Sequence, residues 1–323
     1  MMRRRLPAAL LVSGLTVTLA ACGSSDDAET LTIGGSATVY PITELVAQET
    51  GTSIDMEAEG TLDGFERFCS GETDINNASE AITQEFLQQC EDNGVEFIEV
   101  PIGLDALSVV RNLDNDAVED LSLEELQQIW EPDSSIERWS DLRADLPDER
   151  IELFGRDDGS GTFEYFTHSV TGEAGEIRED YESTDDLDEL TEWIAEEPNG
   201  LGFMGAGNYL SADDEARSQL STVAVDGVEP SLENAQSGEY QPLTRPLFLY
   251  VNKQKLDESQ TLQEFTEAYI DSAAEIMPRV FFYRLPEASY DQVRERLDSG
   301  ETGSLYGGDP FLSTSVVELL EQR

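Results

Sequence analysis

Arg156, Ser160 and Thr162 stand close together in the run Phe154-Gly155-Arg156-Asp157-Asp158-Gly159-Ser160-Gly161-Thr162-Phe163. An apolar stretch, Ile151 to Phe154, leads into it, and Phe163, Phe166 and Val170 follow at helical spacing. The pattern predicts a strand, a tight turn and a helix whose first residues are small or hydroxylated. Gly159 and Gly161 let backbone come close to a ligand. Amides at a helix start have no partner within the helix and attract negative charge. Arg156 adds a planar fork suited to two oxygens at once. Together these groups would cradle a tetrahedral oxyanion; a plain helix cap beside a surface arginine is the alternative. No lysine follows Gly161, so this is not a Walker-type phosphate loop.

Three weaker runs have the same character. Gly35-Ser36-Ala37-Thr38-Val39 follows the strand-like Leu31-Thr32-Ile33, and a helix is expected from near Thr38, with Pro41 in its first turn and Gly51 at its end. Glu59-Gly60-Thr61-Leu62-Asp63-Gly64-Phe65 offers the Thr61 hydroxyl, and Asp74-Ile75-Asn76-Asn77-Ala78-Ser79-Glu80 is the fourth.

The elements that must carry these runs alternate between short β-like and helical patterns, which predicts an α/β architecture. Ser122-Leu123-Glu124-Glu125 is a capping box. Leu187, Leu190 and Ile194 mark one later helix, and Leu262, Phe265 and Tyr269 mark another. Two long apolar stretches, Phe97 to Val110 and Pro242 to Val251, contain prolines. They are the natural crossings between an outer part, residues 31–103 plus 246–323, and an inner part, residues 104–245; central strands of a single domain are the alternative.

Charge narrows the partners. The chain has 323 residues, with 19 Lys+Arg against 69 Asp+Glu and a formal net charge of −50. Nucleic acid and anionic membrane surfaces need a basic patch, and none exists beyond Arg3, Arg4 and Arg5. Acids spread over the whole length suit a surface solvated at high salt, where screening falls to about 3 Å at 1 M. A halophile-like setting is expected, with an alkaline one as the alternative.

Those three arginines precede an interrupted apolar run from Leu6 to Ala21, the form of an export signal over residues 1–21. Leu19-Ala20-Ala21-Cys22 resembles the bacterial lipobox, with Cys22 as the lipid-carrying residue and residues 22–30 as an acidic tether. An extracytoplasmic, lipid-anchored protein is expected. Cys69 and Cys90 remain, and in an exported chain two cysteines most simply form one disulfide. With two thiols and the single His168, no metal is expected, and His168 is taken as structural.

Taken in order, GSATVYPITE, FCSGETDINNAS, IGLDALSVV, LSLEELQQIWEP, GRDDGSGTFEYF and YQPLTRPLFLYVN resemble the phosphate-binding lipoproteins of phosphate ABC importers, members of the periplasmic binding proteins. The resemblance runs from about Leu31 to the C-terminus. It implies the type II periplasmic-binding-protein fold, two α/β lobes joined by two crossing strands, with inorganic phosphate trapped between them. Carried over residue by residue, it implies Thr38 and the Val39 backbone, Thr61, Arg156, Ser160, Gly161 and Thr162 as phosphate ligands, with Ser36 as an addition. It further implies a monomer without a cofactor or catalysis that delivers phosphate to an ABC permease and meets the membrane only through its lipid. Relatives often have a glycine-richer run where this chain has Thr61-Leu62-Asp63-Gly64, and they vary between an acid and an arginine where this chain has Glu80. A buried Glu80 carboxylate would accept a hydrogen bond from the O–H of monohydrogen phosphate and oppose the lone pairs of sulfate; a solvated surface acid is the alternative. Another tetrahedral oxyanion (sulfate, molybdate, tungstate or arsenate) is the second reading of the ligand. An exported phosphomonoesterase using Ser160 or Thr162 is the second reading of the activity.

Overall fold

The computed structural model describes residues 29–322, apart from Gly159, Phe311 and Ser313. The expected export signal and Cys22 therefore lie outside the described residues.

Its strands are β1 (Thr30–Gly35), β2 (Ser53–Met56), β3 (Ile75–Ala78), β4 (Phe97–Asn112), β5 (Asp120–Leu121), β6 (Glu152–Gly155), β7 (Glu182–Ser183), β8 (Gly200–Gly205), β9 (Leu220–Thr222), β10 (Ala224–Val225) and β11 (Thr244–Asn252). A nine-stranded sheet runs β2-β1-β3-β11-β4-β8-β6-β7, with β9 also on β4, while β5 and β10 pair separately. The helices that matter for the site are α1 (Tyr40–Thr50), α2 (Thr61–Cys69), α3 (Gln84–Asn93), α4 (Leu123–Trp130), α5 (Trp139–Leu142), α6 (Gly161–Thr171) and α7 (Leu187–Glu196).

The fold is mixed α/β with two lobes, and β4 and β11 cross between them. All sixteen residues of β4 are buried, as the unbroken apolar run requires of a strand covered on both faces. Its first half pairs antiparallel with β11, and its second half pairs with β8 and β9. Leu31, Ile42, Phe65, Phe97, Phe248 and Tyr269 share one hydrophobic cluster. Leu107, Trp130, Trp139, Phe166, Phe203 and Leu243 share another. Ala235, from the inner stretch of sequence, packs with the first cluster. In the second, Phe166 stacks on Phe203 at 3.9 Å and Trp130 meets both edge-on.

Local signals act where the residues place them. Ser122 and Glu125 form the reciprocal capping box that starts α4. Gly51 ends α1 in the left-handed region at φ 71°, and Pro41 lies in the helix's first turn. α1 starts at Tyr40 rather than near Thr38, because the Ser36 carbonyl accepts both the Val39 and Tyr40 amides and makes a turn first. The helix marked by Leu262, Phe265 and Tyr269 spans Gln260–Ile276.

Cys69, at the end of α2, forms a disulfide with Cys90 of α3. The two are 21 residues apart in sequence. Closing a loop of that length removes unfolded-chain entropy equivalent to about 3 kcal/mol. Replacing both cysteines by serine, or reducing the bond, is expected to lower unfolding free energy by about that amount, measured by urea titration with and without reductant.

Candidate functional site

Three helices begin at one cleft. The first is α1, whose entry turn is tied by Ser36: its Oγ accepts from the Thr38 amide at 3.2 Å and donates to Ser79 Oγ at 3.0 Å. The second is α2, reached through Gly60 at φ 104°, a backbone setting that glycine adopts without strain. The Gly60 amide bonds the Gly35 carbonyl at 3.1 Å, which locks the two loops side by side. Thr61, the first residue of α2, shares a hydrogen bond with Ser79 Oγ at 3.2 Å and accepts from the Ser79 amide at 3.2 Å. Ser36, Ser79 and Thr61 thus form one chain of buried hydroxyls. No side chain caps α2, and its Thr61, Leu62 and Asp63 amides donate to no other described group, so they remain as donors at the cleft. The first amides of α1 are already used, Val39 and Tyr40 on the Ser36 carbonyl, and Pro41 has none.

The third helix, α6, comes from the other lobe. Its cap is Ser160, whose Oγ accepts from the Phe163 amide at 3.0 Å. Gly161 faces Thr38 across the cleft: a Cβ added there would stand 2.9 Å from Thr38 Oγ1. Glycine is what permits this approach.

The crossing strands contribute a charged pair. Arg245 of β11 is the register partner of Asp105 of β4. Its Nε donates to Asp105 Oδ2 at 3.1 Å, Nη2 lies 3.0 Å from the same oxygen in the ion pair, and Nη2 donates to the Gly161 carbonyl at 3.3 Å. The guanidinium carbon lies 4.3 Å from the centre of the Tyr165 ring, whose hydroxyl donates to the Pro242 carbonyl at 2.7 Å.

Of the residues expected from sequence, Ser36, Thr38, Thr61, Glu80 and Gly161 line this cleft of about 820 Å³. Val39, Arg156, Ser160 and Thr162 are not among its lining residues. Val39 is fully buried and its amide is used on the Ser36 carbonyl. Arg156 donates through Nη2 to Asp185 Oδ1 at 3.1 Å, while its buried Nε has no partner among the described residues. Thr162 is half-buried. His168, taken as structural, lines the cleft as well. Sequence reasoning missed Ser79, Arg245 and Asp105. The available signal was an arginine in one mainly apolar crossing strand and an aspartate in the other, since charges buried there need a partner.

Glu80 follows the hydroxyl chain and is half-buried. Burial pushes its carboxyl above the ordinary glutamate range; Arg245 opposes this and Glu164 of α6 adds to it. Among the described residues no three His, Cys, Asp or Glu side chains cluster as a metal site would need, and no helix is long and apolar enough to cross a membrane.

Comparison with known proteins gives a consistent set of likenesses. The description "PBP superfamily domain" matches residues 20–271. Protein SphX of Synechocystis sp. is 37% identical over 98% of this chain and 96% of its own. The phosphate-binding protein PstS of Staphylococcus saprophyticus is 28% identical over 88% of this chain and 91% of its own. A possible phosphate-binding protein from Planctomyces limnophilus superposes with a TM-score of 0.76 at 31% identity, covering 85% of this chain and 99% of that one. An ABC-type phosphate transport receptor from Vibrio cholerae, at 20% identity and a TM-score of 0.67, covers 80% of this chain and all of its own; that likeness is one of fold.

The upward shift of Glu80 has a definite consequence for stability. An acid whose folded pKa lies above its unfolded value binds more protons when folded, so stability falls as pH rises through that window. Glu80→Gln removes this loss. Without ligand, the variant is expected to melt above the wild type at neutral pH and to converge with it near pH ~4, where the unfolded carboxyl also holds its proton. Calorimetric melts across that range check the sign; a variant less stable at pH 7 would contradict it.

Proposed function

The chain belongs to the PBP superfamily, and on that footing we propose that it is a non-catalytic receptor that captures inorganic phosphate between its lobes and delivers it to the permease of a phosphate ABC importer. The observation that carries this is the meeting of three helix starts at one cleft, with the Ser36, Thr38, Thr61 and Ser79 hydroxyls on one side and Gly161 on the other. Amides at helix starts and short hydroxyls are the donors a tetrahedral oxyanion needs, and they cost no reorganisation when it arrives. The ligand set proposed is Ser36, Thr38, Thr61, Glu80, Arg156, Ser160, Gly161 and Thr162; the Val39 amide expected from the sequence is left out because the Ser36 carbonyl holds it. Arg156 reaches the ligand by exchanging Asp185 for phosphate as the lobes adjust.

Several features favour capture without turnover. The Ser160 hydroxyl is committed to capping α6. His168 lies two turns further along the same helix, so Ser160 and His168 do not form the facing pair that nucleophilic catalysis requires. The lobes are residues 31–103 plus 246–323 and residues 104–245. Residues 1–21 are a signal, and Cys22 carries the lipid that holds a monomer outside the cell membrane.

Glu80 supplies selectivity. Its carboxylate accepts the hydrogen of monohydrogen phosphate, whereas sulfate would place lone pairs against it. Sites that pair a specific polar hydrogen reject analogues lacking it by about 10⁴–10⁵. Titration calorimetry in concentrated salt is expected to show tight, stoichiometric phosphate uptake by the wild type and weak sulfate uptake. In Glu80→Gln the phosphate/sulfate preference should narrow by about tenfold or more; an unchanged ratio removes the role given to Glu80, and absence of phosphate uptake removes the reading.

Association has its own signature. A body of net charge −50 repels an incoming anion at long range, and salt screens that repulsion without weakening desolvated contacts. Stopped-flow association should therefore accelerate with added salt; rates that fall would contradict this account.

A further inference from the structure

Among the described residues that line the cleft, Arg245 is the one arginine and there is no lysine. It stands on β11, in a crossing strand, with its side chain 15% exposed. Nε and Nη2 are held by Asp105, itself 8% exposed in its side chain. Nη1 donates to none of the described residues, which leaves one arm of the fork available. The remaining contact of Nη2 is to the neutral Gly161 carbonyl at 3.3 Å, a weaker acceptor than an oxyanion. Thr38 Oγ1 and Arg245 Nη2 lie 2.9 and 3.9 Å from the same point, the place a Gly161 Cβ would occupy. A hydroxyl of one lobe, the helix start of the other and a guanidinium from the crossing strand therefore meet there. Glu80, on the same cleft, feels the Arg245 charge. Arg156, by contrast, bonds Asp185 and is not among the lining residues.

We propose that Arg245 is itself a ligand of the captured phosphate, and that Asp105 is a positioning residue that aims its guanidinium into the cleft. The inference rests on the phosphate reading above. Asp105 holds the fork through the Nε hydrogen bond and the close Nη2 ion-pair contact to the same oxygen, and the Tyr165 ring supports its face. The pair is neutral before the ligand arrives, so the crossing strand carries no bare buried charge. When phosphate binds, Nη2 exchanges the Gly161 carbonyl for a phosphate oxygen and Nη1 gains a partner.

The test is phosphate calorimetry on the full mature chain, with Arg245→Gln, Asp105→Asn and the double variant. Arg245→Gln alone strands a buried aspartate and risks the fold, whereas the double variant replaces the ion pair by a neutral pair of similar shape. The double variant is expected to keep a cooperative melt and to lose about 10–100-fold in phosphate affinity, the worth of a charged hydrogen bond. Asp105→Asn should weaken binding less, and the two changes should be strongly non-additive, because one acts through the other. A second readout needs no folding control: in wild-type protein with ¹⁵N-labelled arginine, the Arg245 guanidinium resonance, assigned by its loss in Arg245→Lys, should move on phosphate saturation. The proposal is overturned if the double variant binds phosphate within twofold of wild type, or if that resonance stays still while phosphate binds. If wild-type protein takes up no phosphate, the receptor reading itself has failed, and the two failures are thereby told apart.

Discussion

The antiparallel pairing of β4 with β11 is the constraint on which the rest of the molecule depends. It continues from Asn252 opposite Phe97 to Thr244 opposite Ala106, with one irregularity between Leu247 and Phe248. Both strands are largely buried, so alternate residues pack into opposite faces. A one-residue slip would turn Arg245 and Asp105 away from each other and send neighbouring apolar side chains to the wrong side. The same pairing seats Tyr250 against Glu99: the tyrosine hydroxyl donates to Glu99 Oε2 at 2.9 Å and accepts the Ile82 amide at 2.8 Å. Ile82 lies just beyond Glu80, so the loop bearing the cleft carboxyl is moored to both crossing strands. Glu99 Oε1 also accepts the Leu305 amide, which fixes the segment carrying Tyr306 to the cleft wall.

An anion site on so acidic a body requires that the acids nearest the ligand be dealt with one at a time. Glu59, at the mouth of α2, is bonded by Arg67, which also engages Glu57 and Glu72. Asp105 is matched by Arg245. Glu80 has no cation bonded to it among the described residues; burial raises its pKa and the Arg245 charge opposes that rise, so it is the acid left facing the ligand, as its part in selectivity requires. Scarce basic residues are thus placed where a carboxylate would otherwise face the ligand, while the remaining acids are left to solvent and to screening.

Much of this was legible in the sequence because it is written in local patterns. The capping box, the Pro41 and Gly51 boundaries of α1, and the apolar stripes of α6 and the helix Gln260–Ile276 depend on residues a few positions apart. Phe97 to Val110 and Pro242 to Val251 were readable as crossings by length and apolarity. What was not legible depends on pairing between separate segments, from 18 to 140 positions apart. Arg245 looked like an interruption in an apolar strand until β4 set Asp105 beside it. Ser79 stood in the fourth cradle-like run without a role of its own, and only the fold joins it to Ser36 and Thr61. Arg156 carried the stronger local motif, yet its guanidinium turns to Asp185, a partner that nothing in its own run announces.

The near-contact of Gly161 with Thr38 also bears on the mechanics of the two bodies. On one side the meeting surface is main chain, which has no rotamers to yield, and on the other it is a short β-branched side chain with few. Such a stop is stiff. Further approach of these two points is resisted by backbone sterics rather than by a compressible cushion of long side chains.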